Sequence, residues 1–416
     1  MAAQGAAANK DGKFDVGGIL MDQPFKIRRL GHFGINTQDQ TEMVRFYTDL
    51  LGFKITDFAD PFKGEANPPE FADLGDCKRY FARYASDHHA LALYNHRHRI
   101  AGDPEGRRFW PGNTINQLTW QVGSLEEVVN GHRWLESEGC RMVRTGRDMP
   151  GSNWHTYLWD PDGHINEIYY GIEQVGWTGK SKPWDMFYRE FHDVPDLPQI
   201  GEAQEVDDAM EKGIDIMSGY RYDESHLPFE FDVQGILMPR PFKIVKIGPV
   251  GLFVKDLAAS LDFYVGKMGF IVTEETQCEG ERVVFLRSNT EHHSLVLSPI
   301  ELRAKLGLSD HTTTQTFGVQ LANYQQLLDA VAFFEAKGFT LRELPPEMTP
   351  GMDYNIFVID PDGHAIQLFY YMEQVGWDGK PRAQTERRPV KQGDWPETVE
   401  PLSDVYMGEP LLGPWN

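Results

Sequence analysis

Along the chain, short stretches in which apolar and polar residues alternate are interleaved with longer ones in which apolar residues recur every three or four positions. The first kind is expected to form strands with one buried face, the second amphipathic helices. Leu30 to Asn36 reads as a strand and leads into a run with apolar Met43, Val44, Tyr47, Leu50 and Leu51, a helical spacing stopped by Gly52. After a strand at His88 to Asn95 the cycle restarts: strand at Ile115 to Val122, helix at Leu125 to Glu138 ended by Gly139, strands at Trp154 to Trp159 and His164 to Tyr170. The last two are joined by Asp160, Pro161, Asp162 and Gly163, a turn in which proline presets one dihedral and glycine accepts a positive φ.

The pattern then occurs again. Gly18 to Phe53 aligns without a gap to Gly235 to Phe270, and Asp160 to Trp177 aligns to Asp360 to Trp377. The chain is a tandem duplication, and each half is itself two similar strand, helix, strands units. In the second half the strand-like runs start near Lys246, Glu291, Thr316 and Ile356, with helices at Leu257 to Lys267 and Tyr324 to Lys337. The expected division is a lead over 1–24, a first domain over 25–180, a connector over 181–241, a second domain over 242–378 and a tail over 379–416. Between Asp196 and Asp232 there are 11 acidic and 2 basic residues, a local charge of −9, which marks an exposed connector carrying one short helix at Glu202 to Lys212.

Composition narrows the possibilities. At about 150 residues per domain, 416 residues is too long for one compact unit. Hydrophobic residues at 41% and charged residues at 25% exclude collagen, coiled coil and wholesale disorder. A net charge of −22 repels phosphate backbones and anionic lipid, so neither nucleic acid nor a membrane is an expected partner. No apolar run approaches the roughly 18 residues of a membrane helix, and Met1 to Gly12 lacks the apolar centre of a signal peptide. Cys77, Cys140 and Cys278 are odd in number and far apart, which points to a reducing, cytoplasmic setting.

The segments LGHFGINT around His32, HHALAL at His88 to Leu93, INQLTWQV around Gln117 and YLWDPDGHINEIYY from Tyr157 to Tyr170 resemble the vicinal oxygen chelate superfamily, and most closely its two-domain extradiol ring-cleaving dioxygenases. The resemblance implies an α+β fold: four βαβββ units paired into two tandem domains, each a cupped sheet. It places metal ligands on His32, Gln117 and Glu167, with Gln117 where those enzymes keep a second histidine. An imidazole pair and a carboxylate leave three positions open on Fe(II); an amide there keeps the formal charge but is a harder, weaker donor. The resemblance also assigns His89 to acid/base work and Tyr157 to substrate contact. His155, two residues from Tyr157 on a strand, shares its face and is a candidate for the missing imidazole or for a proton shuttle.

The second half is an internal control. At the positions of His32, Gln117 and Glu167 it carries Pro249, Thr316 and Gln367, so a metal is expected only in the first half. Tyr157 becomes Phe357, as expected if its hydroxyl has a task, whereas His89 persists as His293. His164 and His364 follow the same turn in both halves and read as structural, as do Glu173 and Glu373; His96 and His98 sit among Arg97 and Arg99 on what reads as a solvated basic edge, with docking of a substrate carboxylate there as the alternative.

The resemblance implies an extradiol-type dioxygenase that uses O2 on a small catechol-like aromatic at a mononuclear site, with Fe(II) the leading metal and Mn(II) or another divalent ion the alternative. It also suggests a homo-oligomer. Two other readings stay open: a metal-dependent glyoxalase, isomerase or epimerase of the same superfamily, and a non-catalytic small-molecule binding protein.

Overall fold

A computed structural model of the protein describes residues 8–103, 112–147, 151–187, 193–375, 378–387 and 390–399. A small hairpin, β1 (Phe14–Val16) and β2 (Ile19–Met21), precedes the first sheet. That sheet comprises β3 (Arg29–Thr37), β4 (Lys54–Ala59), β5 (Arg79–Arg83), β6 (Leu91–Asn95), β7 (Ile115–Gln121), β8 (Met142–Arg147), β9 (Trp154–Trp159) and β10 (Ile165–Tyr170), in the order β4-β5-β6-β3-β7-β10-β9-β8. A second hairpin, β11 (Phe231–Val233) and β12 (Ile236–Met238), precedes β13 (Ile244–Val254), β14 (Ile271–Cys278), β15 (Glu281–Arg287), β16 (Leu295–Pro299), β17 (Thr314–Leu321), β18 (Asn355–Ile359) and β19 (Ala365–Phe369). Their order, β14-β15-β16-β13-β17-β19-β18, repeats the first sheet without its last strand. The fold is therefore mixed α+β, with two large sheets in tandem.

The helices are α1 (Gln40–Arg45), α2 (His96–Gly102), α3 (Leu125–Ser137), α4 (Glu202–Glu211), α5 (Leu257–Leu261), α6 (Leu302–Lys305) and α7 (Tyr324–Ala336). The crossover helices start where a side-chain oxygen accepts an otherwise orphan backbone N–H: Asp39 from Glu42, Ser124 from Glu127, Asp256 from Ala259 and Asn323 from Gln326.

The helix expected through Leu51 differs from its pattern. After α1 the chain widens into a π-type turn at Phe46–Leu50, with Leu51 N–H bonded to the Phe46 carbonyl at 3.1 Å, and the second half repeats this at Asp262–Lys267. The extra residue keeps two successive aromatics inside, Phe46 with Tyr47 and Phe263 with Tyr264. Both tyrosines then reach across the molecule. Tyr47 donates to Asp360 at 3.1 Å and Tyr264 to Asp160 at 2.9 Å, so each half's helix is latched to the other half's turn. His164 and His364 sit on the same aspartates, at 2.9 and 3.0 Å. The helix-bearing faces of both sheets share one apolar core, in which Phe33 stacks on Phe317 at 4.8 Å.

The strand expected from His88 begins only at Leu91. His88 and His89 precede it, where the His88 N–H bonds to the Glu173 carbonyl at 2.8 Å. The connector helix forms as α4, held to β8 by an Arg147 to Glu205 ion pair. The C-terminal segment lies along the second half, where Arg387 pairs with Glu274 and Trp395 packs near Tyr324 and Tyr354. Among the described residues no helix is long and apolar enough to cross a membrane.

Candidate functional site

Side chains alternate across a strand, so the face of the first sheet turned away from the shared core carries one set from each strand. β3 contributes His32, β7 contributes Gln117 and Thr119, β9 contributes His155 and Tyr157, and β10 contributes Glu167. Register brings them together: Glu167 pairs with Thr119 on one side and Tyr157 on the other, while Thr119 pairs with His32.

Glu167 is the centre of this group and is fully buried. Its Oε2 lies 3.1 Å from His32 Nε2 and accepts from Thr119 Oγ1 at 2.8 Å and Gln117 Nε2 at 3.3 Å; its Oε1 accepts from Asn153 Nδ2 at 2.7 Å. Burial alone would raise its pKa, but His32 beside it, with His155 and the Thr119 hydroxyl, holds the carboxyl down at about 2. The group is a buried anion throughout the physiological range.

The His155, His89 and Tyr157 rings near it are neutral. His155 stands 3.7 Å from Glu167 through Nδ1, which also lies 3.1 Å from its own turn's Asn153 carbonyl. A carbonyl oxygen can only accept, so Nδ1 carries the hydrogen and the lone pair is on Nε2. Burial lowers the His155 pKa to about 4. His89 packs on His32 with ring centroids 4.2 Å apart, shares a hydrogen between its Nδ1 and that of His88 at 3.1 Å, and is pushed well below the ordinary histidine range by burial. Tyr157 lies 4.6 Å from the His155 ring and keeps its proton, because burial and then Glu167 raise it well above 10.

All six residues singled out from sequence thus meet in one cup. Gln117, however, presents its amide nitrogen to Glu167 rather than an oxygen. Among the described residues no group of three or more His, Cys, Asp or Glu side chains is arranged to hold a metal ion. Among the described residues of the cup, His32 and Glu167 alone approach as ligands of one ion would. The donor chemistry fits a divalent cation held by this pair, with His155 Nε2 or a turned Gln117 amide as the third donor, and it departs from a ready facial triad. His32 Nδ1 is buried and without a partner among the described residues, so the ring is oriented by Nε2 against Glu167 and by packing on His89 and Tyr169.

Thr119 and Asn153 were not anticipated, although both contact Glu167 more closely than Gln117 does. Thr119 was findable, since it lies two residues beyond Gln117 and so on the same face. His96 and His98 lie on α2 and are not on a solvated edge, since His96 is buried and His98 packs edge-on to Phe62 and Phe71; α2 itself folds over the cup, with Ile100 packed against Tyr157, Trp159 and Ile165.

The tandem repetition of this sheet in one chain agrees with comparisons to known proteins. The description "Glyoxalase/Bleomycin resistance protein/Dioxygenase superfamily" matches residues 29–168 and 246–368. The chain belongs to this superfamily. Among curated superfamily relatives, metapyrocatechase 2 of Cupriavidus necator is 27% identical over 189 residues, 44% of this chain and 50% of that protein. The chain therefore spans about half the length of the curated relative it matches. Among solved structures, a catechol 2,3-dioxygenase aligns with a TM-score of 0.53 and 15% identity over 90% of this chain and 97% of that one. A Mn(II)-bound glyoxalase from Novosphingobium aromaticivorans aligns with 0.51 and 14% over 85% of each. At these identities the structural likeness shows the superfamily fold alone.

Proposed function

We propose that the protein is a metal-dependent dioxygenase of the extradiol type, acting on a catechol-like aromatic in the cup of its first half. The observation that carries this reading is Glu167, a fully buried carboxylate held ionised, with His32 Nε2 at 3.1 Å and neutral imidazoles around it. His32 and Glu167 would hold the metal, Fe(II) in the first instance, with Gln117 or His155 as the third donor. Such an ion supplies Lewis acidity toward two vicinal hydroxyls and a binding position for O2.

The protein's own residues set up the rest. Thr119 and Asn153 fix the carboxylate so that Oε2 faces His32. Neutral His89, in contact with His32, accepts a proton from the substrate, and His88 keeps its ring in place. Tyr157 donates its hydroxyl hydrogen to a substrate oxygen. α2, through Ile100, covers the cup and excludes water.

A second reading, a metal-dependent glyoxalase, isomerase or epimerase, is favoured by one feature: the second-ligand position holds an amide with a hydroxyl beside it, and hard oxygen donors suit Mn(II), Ni(II) or Co(II). Oxygen uptake separates the two. Protein loaded anaerobically with Fe(II) and mixed with a panel of catechols and O2 should consume O2 and form a yellow ring-fission product. Absence of uptake with every catechol would overturn the dioxygenase reading, and turnover surviving strict anaerobiosis would establish the second.

A further inference from the structure

In a chain of net charge −22, the mouth of the first cup is locally basic. Arg144 on β8 lies with its guanidinium carbon 4.7 Å from the Tyr157 ring centre, and Arg99 on α2 sits 4.8 Å from that of Tyr94 on β6. Arg79 is on β5, where the pairing of Tyr80 with Leu93 sets it beside Tyr94. The Asn116 amide, turned so that its oxygen meets Arg99 Nη1 at 2.7 Å, donates from its nitrogen to Gln117 Oε1 at 3.0 Å and links this edge to the Glu167 group.

Register gives the spacing. Arg144, Tyr157 and Glu167 face one another across β8, β9 and β10. With strands about 4.8 Å apart, the Arg144 and Glu167 backbones are about 10 Å apart, with Tyr157 on the strand between them. Burial lowers Arg99 only to about 10, so it is still cationic at neutral pH.

The second half has dismantled the same edge. Val283 stands at the position of Arg79 and Ser298 at that of Tyr94. Arg342, paired with Phe357 as Arg144 is with Tyr157, donates to the Gly307 and Leu306 carbonyls at 2.8 and 3.0 Å, and Arg303 donates to the Thr312 carbonyl at 2.8 Å. Its cup is filled by Leu302, Leu306, Phe285 and Phe357. Arginines stacked on tyrosines at the cup's mouth thus occur in the half that keeps Glu167.

We propose that the first cup takes an aromatic substrate bearing a carboxylate, and that Arg144, with Arg99 and Arg79, receives this carboxylate while the opposite edge of the ring faces His32 and Glu167. Guanidinium binds carboxylate through two parallel N–H donors, and the tyrosine faces hold the guanidinium planes in position. This rests on the dioxygenase reading for the ring chemistry, but not for the binding of the carboxylate.

The test therefore uses two readouts on the full-length protein. In oxygen uptake, wild type should turn over 3,4-dihydroxybenzoate with at least a tenfold higher kcat/KM than catechol. Arg144→Gln should lose at least tenfold more on 3,4-dihydroxybenzoate than on catechol, and Arg144→Lys should recover part of that loss. Preference for unsubstituted catechol, or equal losses on both substrates, would overturn the proposal. The second readout is calorimetric titration with 3,4-dihydroxybenzoate under argon. Binding that weakens at least tenfold in Arg144→Gln supports the carboxylate site even if no O2 is consumed, in which case only the dioxygenase reading fails. Binding that Arg144→Gln leaves unchanged, or no binding by a wild type whose circular dichroism shows it folded, overturns the site.

Discussion

The two halves share a strand order, the widened turns, the latches and the buried histidine pair, yet their cups have opposite character. The first is lined by His32, Gln117, Thr119, Asn153, His155 and Glu167; the second is packed with Phe253, Val283, Phe285, Val296, Leu302, Phe357 and Ala365. The helix-bearing face is fixed by the shared core in both, so only the cup face was free to diverge. Histidine persistence has the same origin. His292 and His293 share a hydrogen at 3.0 Å and the His292 N–H bonds to the Glu373 carbonyl at 2.9 Å, as in the first half. The pair belongs to the scaffold, and the chemistry proposed for His89 depends on His32 standing where the second half has Pro249.

The largest effect is expected from making the first cup like the second. Glu167→Gln installs the residue found at position 367 and removes the buried anion. Loss of an outer partner of a metal ligand costs about 10–100-fold, so loss of the carboxylate itself should cost at least about a hundredfold in metal affinity and in turnover. Metal content after dialysis and oxygen uptake check this, and retention of both would mean the first cup is as inert as the second.

The complementary change is Phe357→Ala. It opens a void in the filled cup and should destabilise the protein by about 3–5 kcal/mol in urea unfolding. Turnover per folded molecule should be retained. Tyr157→Phe, which copies the second half, should do the reverse: lower turnover with little change in unfolding midpoint.

The latches come next. Tyr47→Phe removes one buried hydrogen bond to a carboxylate, worth about 1.5–3 kcal/mol, and Tyr264→Phe removes its counterpart together with the bond Tyr264 accepts from Asn166 at 3.1 Å. Tyr264→Phe should therefore cost more than Tyr47→Phe, and because the halves bracket each other unfolding should remain a single transition. Two separated transitions in circular dichroism, one for each half, would show that the shared core does not couple them.

The duplication, the sheets and the convergence of His32, Gln117, Glu167, His155 and Tyr157 were legible in the sequence, because strand alternation and the Asp-Pro-Asp-Gly turns determine which residues face one way. What was not legible depends on the third dimension. Asn153 lies in the turn before β9, where no period says which way it points. The widened turn at Phe46 breaks the helical spacing only after Tyr47 has found Asp360. The role of α2 as a cover could not be read from His96 to Gly102, since it depends on Ile100 meeting Trp159 across the cup.

The smallest effect separates Glu173 from Glu373. Both accept a backbone N–H, Glu373 from Arg382 and Glu173 from Lys182, but Glu373 also faces the Arg382 and Arg387 guanidiniums at 3.3 and 3.9 Å, whereas Glu173 has His88 at 3.8 Å. Burial raises the Glu173 carboxyl to about 7, against the contrary pull of that N–H and the Lys182 charge. A raised acid binds its proton more tightly folded than unfolded, so its stabilising contribution is complete below the ordinary carboxyl range and is lost as pH rises toward 7. Glu173→Gln keeps an acceptor for Lys182 and cannot ionise. It should raise the melting temperature at pH 8 by about 2 °C or more and change it little at pH 5. Glu373→Gln should lower it at pH 8, because two arginines lose their counter-charge. Shifts of the same sign and size in the two variants at pH 8, or a gain from Glu373→Gln, would show that the two glutamates do not differ in the way their partners imply.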